Sequence, residues 1–313
     1  MKRLHQMSGK RDLVMRKFLI GSAIVAVSMM GAASLSAQDK KEVQITATDL
    51  GEGIHMLVGQ GGNIGLSAGP DGVFMIDDQF APLTPKILAA VGKISEEPIR
   101  FVLNTHWHFD HTGGNENLGK AGVAIVAHDN VRKLMSADQF LKAFGKKIPA
   151  APEVALPIVT FSDGVTFHLN GETIRIFHAP AAHTNGDSVV HFVDANVIHM
   201  GDTYFNGRYP FIDFQHGGSI DGVIKIADKV IAMAGPKTKI IPGHGPLSNK
   251  AELIAYRNML ESIGKRIAAA VAGGKKLEDL YAASPTAEFD ADWGNGFLKP
   301  KKFLELVYTG MKN

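Results

Sequence analysis

Residues 104–115 read NTHWHFDHTGGN, which places His106, His108, Asp110 and His111 within six positions. Imidazoles and carboxylates in such density are the ligands of a divalent metal. His106 and His108 are two residues apart in extended chain, so both side chains point the same way and suit one ion. Asp110 and His111 come next, where the chain turns, and can face a second ion beside the first. A polar surface loop is the plainer alternative, but spacing of this kind seldom arises by chance. Downstream partners exist. His183 lies in APAAHTNGDS, Asp202 in VIHMGDTYF and His244 in KIIPGHGPL, each near glycine and at or near the end of strand-like text. Five histidines and two aspartates are enough for two ions sharing one carboxylate. Such a pair, roughly 3.5–4 Å apart, clamps the attacking and leaving atoms of a hydrolysis.

THWHFDH, with His183, Asp202 and His244 after it in that order, resembles the metallo-β-lactamase superfamily over about residues 50–250. The resemblance implies an α/β protein, an αβ/βα sandwich of two mixed β-sheets with helices on the outer faces. It implies that His106, His108 and His183 hold a first metal, that Asp110, His111 and His244 hold a second, and that Asp202 bridges them. Some β-lactamases of the family have cysteine or serine where Asp202 stands. An aspartate there resembles the hydroxyacylglutathione hydrolases (glyoxalase II) and lactonases. The expected activity is hydrolysis by a dinuclear zinc enzyme, in which a hydroxide between the ions attacks a carbonyl and Asp110 is the catalytic group that orients it. β-Lactams, lactones and other esters are the expected small-molecule substrates. A glyoxalase II-like thioesterase and an iron-dependent oxidoreductase are the alternatives. Mixed nitrogen and oxygen ligands do not select zinc over iron or manganese.

Tyr204, Arg208 and His216 lie near the ligands in sequence and are candidates for contacting substrate. The histidines within strand text, His55, His168, His178, His191 and His199, read as face or core residues. Gly61 and Gly62 read as a turn.

These groups need strands to position them. GIHMLVG and NIGLSAG form a strand pair, VFMIDD a further strand, and Pro82–Val91 a helix. IRFVL is a buried strand that delivers the histidine cluster, and VAIVAH is another. Helical text runs from Asp129 to about Phe144, and 148–157, with three prolines, is a loop. VTFHL-NG-ETIRIF is a hairpin on an Asn-Gly turn. SVVHFV-DAN-VIHM is a second hairpin. Residues 221–234 are helical, TKIIPGHG is a short strand and loop, and a helical extension starts at about 249. Residues 38–313 read as a single catalytic domain.

Residues 1–37 pair a basic lead with the apolar run FLIGSAIVAVSMMGAASL, the pattern of a cleaved export signal and of a periplasmic or secreted protein. The chain of 313 residues has 33 basic and 31 acidic side chains and no cysteine. Six of the basic residues and one acidic residue lie in 1–37, so the remainder carries 27 against 30, a net of −3. That balance excludes the basic face that nucleic-acid binding requires. Without disulfides, stability rests on packing and on metal. No stable membrane span is expected after processing.

Overall fold

The computed structural model describes residues 42–312, so the export signal expected at 1–37 lies outside the described residues. Two sheets face each other. The first has seven strands in the order Thr46–Gly51, Ile54–Val58, Ile64–Gly69, Gly72–Ile76, Ile99–Asn104, Ala124–His128 and Val159–Phe161. The second has six, in the order Gly164–Leu169, Glu172–His178, Ser188–Phe192, Val197–His199, Lys239–Ile241 and Ser248–Asn249.

Period-two alternation sets the layers. Phe74, Ile76, Leu103 and Val126 point between the sheets and meet Ile174, Ile176, Val190 and Phe192 of the second sheet. Their neighbours Val73, Met75, Val102 and Ile125 point outward against Ile87 and Val91 of the helix Thr84–Val91. Outside the second sheet, Val189, Ile198 and Ile240 are covered by the helices Ile220–Met233, Lys250–Ala272 and Pro300–Lys312. The result is the expected sandwich, helices–sheet–sheet–helices. None of the described helices is long and apolar enough to cross a membrane.

Each sheet changes from antiparallel to parallel pairing where the site lies. Gly72–Ile76 runs parallel to Ile99–Asn104, and Val197–His199 runs parallel to Lys239–Ile241. Parallel neighbours bring their C-terminal ends to one edge, the usual place for a site in such sheets. The loops carrying Asp77, His106, Asp202 and His244 leave from these ends.

The structure departs from the sequence expectation at 129–144. The helix ends at Met135, and Gln139–Leu141 pairs with Lys146–Ile148 as a short hairpin. Ser136 closes the helix by donating to the Arg132 carbonyl at 2.6 Å, and the Asp138 carboxylate accepts from the Ala150 amide at 2.8 Å. Leu141 is buried while Phe140 is exposed, a strand's alternation.

Candidate metal centre

The helical turn Phe109–Thr112 comes directly after His106 and His108 and sets Asp110 and His111 on a second wall of one cavity. His183 arrives from the loop after Glu172–His178, Asp202 from the 3-10 turn Gly201–Thr203 and His244 from the loop after Lys239–Ile241. All seven expected ligands converge, in two sets. One atom each of His106, His108, His183 and Asp202 lies within 4.8 Å of the others, as does one atom each of Asp110, His111 and His244. Asp202 Oδ2 is 3.6 Å from His183 Nε2 and 3.4 Å from His244 Nε2, so this carboxylate touches both sets. Its other oxygen is 3.0 Å from His111 Nε2. Asp110 Oδ2 is 3.3 Å from His244 Nε2.

Outer partners fix the rings. Asp77 Oδ2 accepts from His111 Nδ1 at 2.7 Å and from the Thr105 hydroxyl at 2.8 Å. That hydroxyl lies 3.1 Å from His106 Nδ1, and its proton is committed to Asp77, so it accepts from the ring. Asp213 Oδ2 accepts from His108 Nε2 at 3.0 Å, and the Phe211 carbonyl accepts from His183 Nδ1 at 2.8 Å. In its neutral form each of these four rings keeps its proton on the outer nitrogen and turns a lone pair inward. His108 Nδ1 and His183 Nε2 face each other at 2.8 Å, two acceptors in contact. His106 Nε2 is buried with no hydrogen-bond partner. Lone pairs so placed repel one another and are far better satisfied by a cation between them. The donor set fits divalent metal, with histidine nitrogens and carboxylate oxygens in the numbers zinc sites use.

The electrostatics agree. Burial pushes the His106 imidazole well below its ordinary range and His183 down to about 4, so both are neutral ligands at pH 7. Burial acts the same way on His244, but the Asp202 and Asp110 carboxylates outweigh it and raise His244 to about 9. His111 is raised for the same reason, by Asp202, Asp77 and Asp110 against burial. Burial would raise Asp110, yet His111 and His244 hold it at about 2. A field that holds protons on His111 and His244 also favours a metal cation there.

Two glycines admit the neighbouring chain. A methyl group on Gly62 would overlap the His111 ring, and one on Gly243 would overlap the Asp202 carboxylate. The hairpin tip at Gly61 and Gly62 is thus a close-packed wall of the site as well as a turn, and the Gly62 amide donates to the Asp110 carbonyl at 3.0 Å.

The three residues expected to contact substrate lie elsewhere. Tyr204 is fully buried in the helix-side core, with its hydroxyl 2.7 Å from Ser248 Oγ and its ring against Tyr256. Arg208 lays its stem against Gly296, and among the described residues it makes no ion pair with the site. His216 is buried behind His108, giving its Nδ1 proton to Asp213 Oδ2 at 2.7 Å and packing edge-on against Trp107. Tyr204, two residues after Asp202, turns into the helix-side core, so nearness in sequence did not bring it to the site. Sequence reading also passed over Asp77, Thr105 and Asp213. The signal for Asp77 was present: VFMIDD ends an apolar strand in carboxylates, and Asp77 holds φ 60°, a conformation a residue adopts only when its surroundings require it. A cavity of about 1170 Å³ is lined by Phe211, Asp213 and Gln215 among others and by none of the seven ligands.

The sequence model of the Metallo-beta-lactamase superfamily matches residues 58–244, more than half of the chain and the stretch holding all seven ligands. The chain belongs to the metallo-β-lactamase superfamily. Among curated relatives, this superfamily member is 24% identical over 153 residues to an acyl-coenzyme A thioesterase of Bos taurus, covering 45% of this chain and 54% of that one. It is 26% identical over 148 residues to a hydroxyacylglutathione hydrolase of Pelagibacter ubique, covering 47% and 52%. The matches span about half the length of these relatives. Among solved structures, a metallo-β-lactamase from Pontibacter korlensis superposes with a TM-score of 0.56 at 19% identity, covering 70% of this chain and 99% of that one. The DIM-1 metallo-β-lactamase gives 0.55 at 21%, with 70% and 99% covered. At such identity these structures establish the shared fold.

Proposed function

We propose that this protein is a hydrolase that binds two zinc ions and breaks the C–S bond of an acyl thioester. The observation that carries the reading is the position of Asp202 Oδ2, 3.6 Å from a ligand of one set and 3.4 Å from a ligand of the other. A carboxylate so placed could serve a cation in each set and would offset their mutual repulsion. The thioester is supported by the curated relatives, whose names describe hydrolysis of acyl-coenzyme A and of hydroxyacylglutathione.

A pair of divalent ions in this donor set supplies Lewis acidity toward a carbonyl and acidifies water toward neutral pH. The protein does the rest. Asp110 and His244 are the more open ligands, with side chains 23% and 19% exposed, whereas His106, His108, His111 and His183 are buried, so the substrate enters on the Asp110–His244 side. Held as a carboxylate down to about 2, Asp110 accepts a hydrogen bond from the attacking water and aims it. It is too weak a base to keep the proton. The new C–O bond forms as the C–S bond breaks, and the water's proton ends on the departing thiolate. Buried His106 and His183 stay neutral and do not compete for that proton.

Elemental analysis of the zinc-loaded protein should find two ions per chain, and Asp202→Ala about one, with turnover lowered at least a hundredfold, roughly 2.7 kcal/mol of transition-state stabilisation. The preparation should be assayed against acyl thioesters, aryl esters, lactones and β-lactams in parallel. Saturation of the unaltered chain at one ion overturns the two-metal reading. A preference for β-lactams or lactones over every thioester overturns the substrate.

A further inference from the structure

We propose that Phe144, Phe211 and Phe297 form an aromatic wall that binds an apolar acyl group of the substrate on the His108–His183 side of the metal centre. This rests on the acyl-hydrolase reading above and names the substrate class more narrowly. Phe211 lies against the rings of His108 and His183, with centroids 5.6 and 5.8 Å away. Phe144 packs on Phe211 at 4.8 Å, and Phe297 on Phe144 at 5.6 Å. The rings thus run in series from two ligands outward, and exposure rises along them: 9% for Phe211, 40% for Phe144 and 75% for Phe297. A single exposed phenylalanine needs no explanation, but a connected aromatic surface leading from a reaction centre to solvent marks a binding face.

The wall is held in place. Phe297 sits between buried anchors, Trp293 and Leu298, so its exposure is imposed by the chain on either side. Phe144 comes shortly after the strand Gln139–Leu141. The Gln215 side chain ties this hairpin to the 211–216 loop, donating to the Phe140 carbonyl at 2.6 Å and accepting from the Lys142 amide at 3.2 Å. The Lys146 ammonium, 3.5 Å above the Phe109 ring, fixes the hairpin's other strand to the turn that carries Asp110. The aromatic face is therefore registered to the ligands from both sides. Three aromatic rings packed in series suit a hydrocarbon chain or an aryl group. The acyl end of the substrate would lie along them, and the leaving group toward Asp110 and His244.

The test uses the zinc-loaded full chain and a thioester series from acetyl to decanoyl. Specificity (kcat/KM) should rise with acyl length. Phe297→Ala and Phe144→Ala should each remove about tenfold of the gain at long chain length, chiefly through KM. Binding of decanoate against acetate, by calorimetry, provides a readout that does not need turnover, and both variants should weaken decanoate alone. Acetyl turnover with no dependence on acyl length refutes the wall and leaves the hydrolase reading standing. Decanoate binding that both variants weaken, in a protein inert toward all thioesters, upholds the wall and refutes that reading. Equal losses for acetyl and decanoyl in both variants mean a structural role and overturn the proposal.

Discussion

Asp77 offers the sharpest test of how the rings are held, because one carboxylate serves two of them. Its Oδ2 accepts from His111 Nδ1 and Thr105 Oγ1, at 2.7 and 2.8 Å, and its Oδ1 accepts from the Thr105 amide at 2.7 Å. Asp77→Asn preserves size, and asparagine tolerates the φ of 60° that this position holds. It replaces one acceptor oxygen with an NH2 group. If that group faces Thr105 N–H, a buried amide loses its acceptor. If it faces His111, the imidazole must take it as an acceptor at Nδ1, and the proton moves to Nε2, where the metal belongs. Either orientation leaves one buried donor unmatched, at a cost of about 1–3 kcal/mol. Charged to metal binding, that is a loss of about tenfold to a hundredfold. Because His111 belongs to the second set, the loss should fall mainly on the second ion. Competitive chelator titration of both ions resolves the two affinities, and circular dichroism confirms folding. Unchanged affinity for both ions in a folded Asp77→Asn protein would refute the claim that outer carboxylates set the tautomers.

Two further outcomes concern the surroundings of the same site. Burial raises the Asp187 carboxyl from 3.8 to about 8 against the Thr184 hydrogen bonds, so the folded state holds this proton more tightly than the unfolded chain does; its stabilising effect is full below 3.8 and is lost as pH rises toward 8. Melting temperatures measured over that window should decline for the unaltered protein and flatten in Asp187→Asn, and parallel curves would show that Asp187 does not titrate there. Gly243→Ala forces a methyl against Asp202 and the Gly201 backbone, and should cost about 1–3 kcal/mol in thermal unfolding together with bound metal, whereas Gly235→Ala, whose methyl would meet only Thr238 Oγ1 at 3.8 Å, should keep its metal.

The seven side chains that converge at the candidate metal centre were legible because metal chemistry restricts residue type and the strand-end loops restrict order. IRFVL and VIHM are apolar enough to be strands, so the residues immediately after each run sit at a strand end. The inter-sheet layers were legible from alternation, as at Val73, Phe74, Met75 and Ile76. The segment 129–144 was not, since Phe140 and Leu141 fit a helical stripe as well as a strand until pairing with Lys146–Ile148 decides between them. Val159–Phe161 is three residues long, too short for any period to register, and only its parallel pairing with Ala124–His128 makes it a strand. Asp213 and Phe144 carried no local signal. Their roles depend on contacts across 105 residues for the Asp213–His108 bond, and on the ring of Phe211 for Phe144.

The segment Phe211–His216 joins these separate features. The Phe211 carbonyl orients His183, and the Asp213 amide donates to the His183 carbonyl at 2.8 Å. The Asp213 carboxylate orients His108 and is itself held by His216 Nδ1 and by the His216 amide at 3.2 Å. Gln215 carries the hairpin that presents Phe144. A displacement of this loop would therefore move two ligands of one metal set and the aromatic face together. A group bound against Phe211 and Phe144 stabilises the loop position in which His108 and His183 point inward, so ligand binding at the wall and metal binding at the first set must favour each other by the same factor. The reciprocity is measurable: zinc affinity at the first set should tighten in the presence of decanoate and stay fixed in the presence of acetate. Weaker zinc affinity with decanoate would mean that the acid competes for the ions instead of lying along the wall.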